Sequence, residues 1–192
     1  MARNPERRIQ LADAGLTVLA AAGARGLTHR AVDAAAAVPA GTASNYFRSR
    51  DELLGALGER IFERFAPDEA VLARLATREP SVELVTDYVR HIVERLLAQP
   101  SLTIALFELR LEATRRPGLN DILTKTLEQN FSLDVAFHLQ AGLPGGMDEV
   151  RLLRFAVDGM MLDQLTPGTG RHYDVDAVTE QLVRRLIPNC TD

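Results

Sequence analysis

The chain has 192 residues, 46% of them hydrophobic, enough to bury a real core as one large domain or a small one fused to a medium one; wholesale disorder is excluded. Its single cysteine, Cys190, cannot build a disulfide framework or a zinc site within one chain and fits a reducing cytoplasm; the charged start Met1–Gln10 and the charge-interrupted apolar stretches predict neither a signal peptide nor a transmembrane helix. The formal net charge of −4 hides a split: residues 1–50 hold seven Arg against Glu6, Asp13 and Asp33, net +4, leaving 15 basic against 23 acidic residues, net −8, so that a basic end faces a polyanion and an acidic body is held off it.

Apolar residues recur at helical spacing nearly throughout, and strand patterns are scarce. Asn4-Pro5-Glu6 opens a first helix with a cap, a proline at the first helical position and an acid in the positive first turn. Ile9, Ala12, Leu16 and Leu19 give it one apolar face, and Gly23 and Gly26 end it. Leu27-Thr28 starts a second, with the Thr28 hydroxyl as cap and Leu27 stapled to Val32, running to about Ala36. A third short helix spans about Pro39 to Tyr46. A fourth begins at Ser49, where Ser49-Arg50-Asp51-Glu52 spells a capping box; Leu53, Leu54, Leu57 and Ile61 follow at core spacing until Pro67. Further helices are predicted over roughly 68–76, 81–98, 101–115, 119–141, 147–165 and 174–187, punctuated by Pro80, Pro100, Pro117, Pro144 and Pro167. No internal repeat or low-complexity tract occurs.

Residues 28–46 have the form of two short helices joined by a tight turn, which presents the second helix to the major groove. Ala31, Ala34, Ala35 and Ala37 are small residues for the helix crossing. Thr42, Ser44 and Asn45 are polar residues for the exposed face of the second helix, and Arg30, Tyr46, Arg48 and Arg50 stand at the edges as phosphate anchors. By composition alone, an alanine-rich pair with scattered arginines is as readily a solvated structural hairpin.

The run Gly26-Leu27-Thr28-His29-Arg30-Ala31-Val32-Asp33, followed by Val38-Pro39-Ala40-Gly41-Thr42-Ala43-Ser44-Asn45-Tyr46-Phe47-Arg48-Ser49-Arg50-Asp51-Glu52-Leu53-Leu54, resembles the DNA-binding domain of TetR-type (tetracycline-repressor family) transcriptional regulators. The aligned motif covers about 30 residues, and chain length and helical pattern match as well. The resemblance implies an all-α fold: an N-terminal three-helix helix-turn-helix domain (1–50), a connecting helix (51–66) and a C-terminal helical ligand-binding and dimerisation domain (67–192). It places Thr28, His29 and Arg30 at positions that touch phosphates or an outer base, and Pro39, Ala40, Thr42, Ser44 and Asn45 at positions facing the groove. Tyr46 stands where the family usually has a phosphate-contacting histidine, and Arg50 where it has a lysine. Ala37 replaces a common turn glycine, which bears on turn geometry. Ala40 replaces a frequent lysine and Ser44-Asn45 a common aromatic pair, which points to a different operator; Asn45 can make a bidentate contact with adenine, worth about 1–3 kcal/mol of discrimination.

For the body, the resemblance implies a pocket for a small-molecule effector and a homodimer formed by the last two helices on a two-fold operator. Val150, Leu153, Val157 and Met160, with Gly159 allowing close approach, form one apolar stripe; Val175, Val178, Leu182 and Leu186 form another. Either stripe could instead close an intramolecular core. Polar or aromatic residues within apolar helices, Tyr88, His91, Phe107, Arg110, Phe131 and His138, are pocket candidates, each as readily a core or surface residue. A buried Arg110 would need Glu108, Glu112 or an anionic ligand as partner. The expected protein is therefore a cytoplasmic repressor of bacterial type, released from a palindromic operator by an unidentified effector, with no cofactor. Near absence of lysine (Lys125 alone) beside abundant Ala and Arg fits a GC-rich bacterial genome. No nucleophile elbow, phosphate loop, HExxH or clustered metal spacing supports an enzyme, and the four histidines (29, 91, 138, 172) are scattered. The alternative is a helical protein-binding adaptor without specific DNA binding.

Overall fold

The computed structural model of the chain describes residues 4–168 and 173–187, and among these it has ten α-helices and no strand. Arg3, His172 and Cys190 lie outside the described residues. The helices are α1 (Pro5–Gly26), α2 (His29–Ala35), α3 (Thr42–Tyr46), α4 (Arg50–Arg64), α5 (Glu69–Leu75), α6 (Val82–Ala98), α7 (Pro100–Ala113), α8 (Pro117–Gln140), α9 (Met147–Leu165) and α10 (Val175–Leu186). The all-α class, with a helix-turn-helix at its start, is as expected.

Polar side chains set the helix starts by satisfying amides that have no partner in the first turn. The Asn4 side chain accepts from the Glu6 and Arg7 amides, the Thr28 hydroxyl from Ala31 and the Ser49 hydroxyl from Glu52. Leu27 and Val32 are both fully buried, as a staple requires. The capping box at Ser49 closes differently from expectation: the Glu52 carboxylate takes the amide of Arg48, one residue upstream of the cap, at 2.7 Å. In α1, Gly23 leaves helical geometry (φ 63°, ψ −178°) before one more turn reaches Gly26. Leu11 takes the core position expected for Ile9, which is 42% exposed. The third helix starts at Thr42 rather than Pro39, because Gly41 adopts φ 90° and the Thr42 amide closes a turn on the Pro39 carbonyl.

Packing divides the chain into two compact units. The first joins Met1–Phe65 with Ser101–Glu128, so α1 to α4 share a core with α7 and the first half of α8. Leu11, Leu19, Leu27, Val32, Phe47, Leu53, Leu54, Leu57, Ile61, Leu109 and Leu119 are all fully buried there. Each such Leu contributes about 2 kcal/mol of transfer free energy. A Cβ on Gly55 would stand 2.6 Å from the Ile122 side chain, so α4 and α8 approach where only glycine fits. At the surface, Arg60 grips both Asp13 oxygens at 2.9 and 3.0 Å, and Arg116 meets Asp51 at 2.6 Å.

The second unit comprises Ala66–Pro100 and Gln129–Asp192. Its core holds Leu84, Val85, Val89 and Val93 from α6, Leu153, Val157, Met160 and Met161 from α9, and Val183 from α10. Arg90 of α6 ties α10 down by pairing with Asp176 and with Glu180 at 3.5 Å, while Asp87 at 2.9 Å holds it from its own helix.

Candidate nucleic-acid interface

A five-residue helix cannot stand alone, since nucleation costs more than so few bonds return. The structure holds α3 from its neighbour: Asp33, in the interior of α2 and 3% exposed, accepts the Gly41 amide at 2.7 Å and the Ala43 amide at 2.6 Å, one on each carboxylate oxygen. Two orphan donors at the start of α3 are thereby met by a charge at the positive end of the helix. Ala43 and Phe47, both fully buried, seat the inner side of α3 and its end. Nothing in the sequence reading singled out Asp33. The available signal was an acid in mid-helix, where acids are poor formers, eight residues before a glycine.

With α3 so fixed, Pro39, Ala40, Ser44 and Asn45 are exposed and Thr42 half-buried. Thr42 and Ser44 turn their hydroxyls onto the carbonyls of Pro39 (2.6 Å) and Gly41 (2.9 Å), which leaves Asn45 as the polar side chain of α3 least occupied by local bonds. Thr28, Arg30 and Arg48 are exposed as well. His29 and Arg50 have inward partners. The His29 Nε2 lies 2.8 Å from the Phe47 carbonyl, and the Arg50 guanidinium donates to the carbonyls of Ala24 and Leu27. Arg50 therefore closes the end of α1 as well as standing at the start of α4. Tyr46 is half-buried and packs against the core of the first unit.

Ala37 has φ 53°, the left-handed conformation for which glycine is the usual residue; the turn geometry survives the substitution at a cost in strain. Of the alanines expected at the helix crossing, Ala34, Ala35 and Ala37 are exposed, and the contact is made by Val32, Ala36 and Ala43, because the seven-residue α2 turns its 32, 33 and 36 positions inward.

The stripe expected to pair with a second copy faces inward instead. Leu153, Val157 and Met160 are 7–8% exposed within the second unit, and Val150, Val178, Leu182 and Leu186 are half-buried. The outward apolar residues of α9 are Leu152 (46%), Phe155 (61%) and Leu162 (48%), with Gly159 exposed between them and open space where its Cβ would be. Their 3-4-3 spacing is that of a helix-pairing seam. Two apolar stripes run along α9, and periodicity alone does not tell which is inside.

The pocket candidates fall in both units: Phe107 and Arg110 in the first, Tyr88, His91, Phe131 and His138 in the second. Arg110 is exposed, so it needs no buried counter-charge. Tyr88 is buried and meets Phe137 edge-on at 5.1 Å. His91 Nε2 accepts the Asp68 amide at 3.4 Å, His138 Nε2 donates to the Pro144 carbonyl at 3.0 Å, and burial pushes both imidazoles below their ordinary pKa. Both are accounted for as structural neutral histidines. Phe131 carries the Arg151 guanidinium over its ring at 5.4 Å.

Among the described residues no helix is long and apolar enough to cross a membrane. Residues 80–189 match the family described as Tetracyclin repressor-like, C-terminal domain. No curated protein matches the sequence. Among solved structures, the multidrug binding protein EbrR complexed with ethidium is 30% identical, with 96% of this chain and 100% of that one covered and a TM-score of 0.74. A TetR-family member from Streptomyces coelicolor A3 is also 30% identical, over 96% and 99% of the two chains, with a TM-score of 0.69. The fatty acid degradation regulator FadR from Bacillus halodurans, 19% identical with a TM-score of 0.69 over 99% and 98%, shares the fold. The helix-turn-helix held by Asp33, the matched body and these neighbours together establish that the chain belongs to the TetR family of transcriptional regulators.

Proposed function

We propose that the protein is a cytoplasmic, homodimeric repressor that binds a palindromic operator and is released from it by a small-molecule effector. The observation that carries the reading is the Asp33 bracket, which holds α3 with Asn45 outward and Arg30 and Arg48 exposed beside it. Asn45, with Ala40 and Pro39, reads base edges; Thr28, Arg30, Tyr46 and Arg48 meet phosphates; His29 and Arg50 act on DNA chiefly by holding the reader together. By role the chain divides into a reader (1–50), a connecting helix (51–66) and a regulatory body (67–192), a division that cuts across the packing units, since residues 101–128 pack with the reader.

Two recognition helices one DNA turn apart require two copies. The outward seam Leu152, Phe155, Gly159 and Leu162 of α9 is the proposed dimer face, in place of the buried Leu153, Val157 and Met160. The effector class follows from EbrR, whose solved complexes hold ethidium, proflavin and malachite green, planar aromatic cations. No catalytic role is proposed. The effector must favour the released state by several kcal/mol to empty the operator.

Selection of DNA from a random pool, followed by gel shift across a salt series with and without ethidium, tests the whole. A selected palindrome, affinity falling steeply with salt and loss of the shift on adding ethidium are the expected results. Absence of any sequence-preferring shift would leave the adaptor reading standing instead.

A further inference from the structure

Within the first unit, Glu108 of α7 has a carboxylate oxygen, Oε2, that is fully buried and accepts no hydrogen bond, the one such side-chain atom among the described residues. Its two oxygens lie 3.9 and 4.0 Å from where a Cβ on Gly23 would stand, beside the break in α1. Glu108 enters no ion pair among the described residues, whereas Glu112, one turn further on, meets Arg115 at 3.7 Å and Arg116 at 3.9 Å. Its neighbours along the helix, Leu106 and Leu109, are buried. A carboxylate oxygen stripped of water without a partner carries an uncompensated desolvation penalty, which a folded protein relieves by a proton or by a cation brought from outside.

We propose that Glu108 supplies the counter-charge for a cationic effector, a proposal that rests on the effector class given above. A metal ion needs several oxygen or nitrogen ligands, and no group of three His, Cys, Asp or Glu side chains able to hold one occurs among the described residues. A single carboxylate in apolar surroundings suits a monovalent organic cation whose charge is spread over an aromatic frame, and it repels an anionic effector. The location supplies a route to the reader. A cation at Glu108 lies against the last turn of α1, whose Ala24 and Leu27 carbonyls are gripped by Arg50 at the start of α4.

The test is fluorescence and calorimetric titration of the full chain with ethidium and with phenanthridine, its uncharged ring system, at pH 7.5. Wild type is compared with Glu108→Gln and with Glu112→Gln as a control. Glu108→Gln is expected to weaken ethidium binding about tenfold or more while leaving phenanthridine within about twofold, since only the charge is removed. Its melting temperature without ligand is expected to rise, because the unpaired buried charge is gone. Equal ethidium affinity in Glu108→Gln and wild type, or equal loss of both probes, overturns the assignment. A wild type that shifts its selected operator but binds neither ethidium nor proflavin overturns this inference and the effector class, leaving the DNA-binding reading intact. A wild type that binds no DNA sequence selectively defeats that reading, and the ethidium titrations still decide Glu108.

Discussion

Replacing Asp33 with Ala removes both acceptors that hold the start of α3. The Ala43 amide belongs to a fully buried residue, so leaving it unmet costs about 1–3 kcal/mol; the Gly41 amide belongs to an exposed residue and recovers part of its loss from water. Alanine returns about 0.5 kcal/mol of helix propensity to α2. The net expectation is destabilisation of the reader by about 2–3 kcal/mol. Hydrogen exchange on the full chain reads it directly, because α3 opens as a local unit: the Ala43 amide should exchange about 30 to 150 times faster, and operator affinity should fall by a comparable factor as binding must now order the helix. Asp33→Asn, which keeps one acceptor, should sit between. An Asp33→Ala protein with unchanged Ala43 exchange and operator affinity within a factor of two would refute the claim that the carboxylate holds the helix.

Four further outcomes follow from the geometry. Ala37→Gly should stabilise the chain by about 0.5 kcal/mol, the left-handed strain relieved exceeding the chain entropy that glycine adds, so a lower melting temperature would count against it. Phe155→Glu should convert the dimer to monomer in sedimentation velocity without unfolding it, whereas an unchanged dimer would move the interface elsewhere. Arg48→Ala should weaken all operators alike and lower the salt slope by about 1, while Asn45→Ala should change which operator is preferred; a uniform loss for Asn45→Ala would remove its base-reading role. His91 and His138 titrate below their ordinary 6.5 in the folded chain, so the unfolded state takes up protons first. Stability is therefore full above about pH 6.5 and falls as pH drops toward the depressed folded values, and replacing both by Gln should flatten urea midpoints between pH 7.5 and 5.5.

Most of the fold was legible because its boundaries are written in local chemistry. Asn4, Thr28 and Ser49 bond the amides that a capping reading assigns to them, and the prolines stand at the breaks. What escaped depends on neighbours distant in sequence. Leu11 rather than Ile9 faces inward, and periodicity fits both. The inner and outer stripes of α9 differ by one or two residues, and only α6 and α10 packing onto Leu153 and Val157 decides between them. Asp33 looked like one charge in an ion count, since its partners are amides of a helix not yet placed. Arg50 and His29 were read by their positions in a motif, which does not disclose that their donors and acceptors are taken up by the carbonyls of Ala24, Leu27 and Phe47.

The groups that secure α3, namely Asp33, Ala43 and Phe47, all lie on its hidden side or on another helix, and Asn45 and Ala40 on the outward side secure nothing. Recognition and folding are thus written on separate residues. Gene duplicates of such a protein could exchange Ala40 and Asn45 freely and drift to new operators without passing through unfolded intermediates, and the same two positions are where an engineer would randomise a library to retarget it.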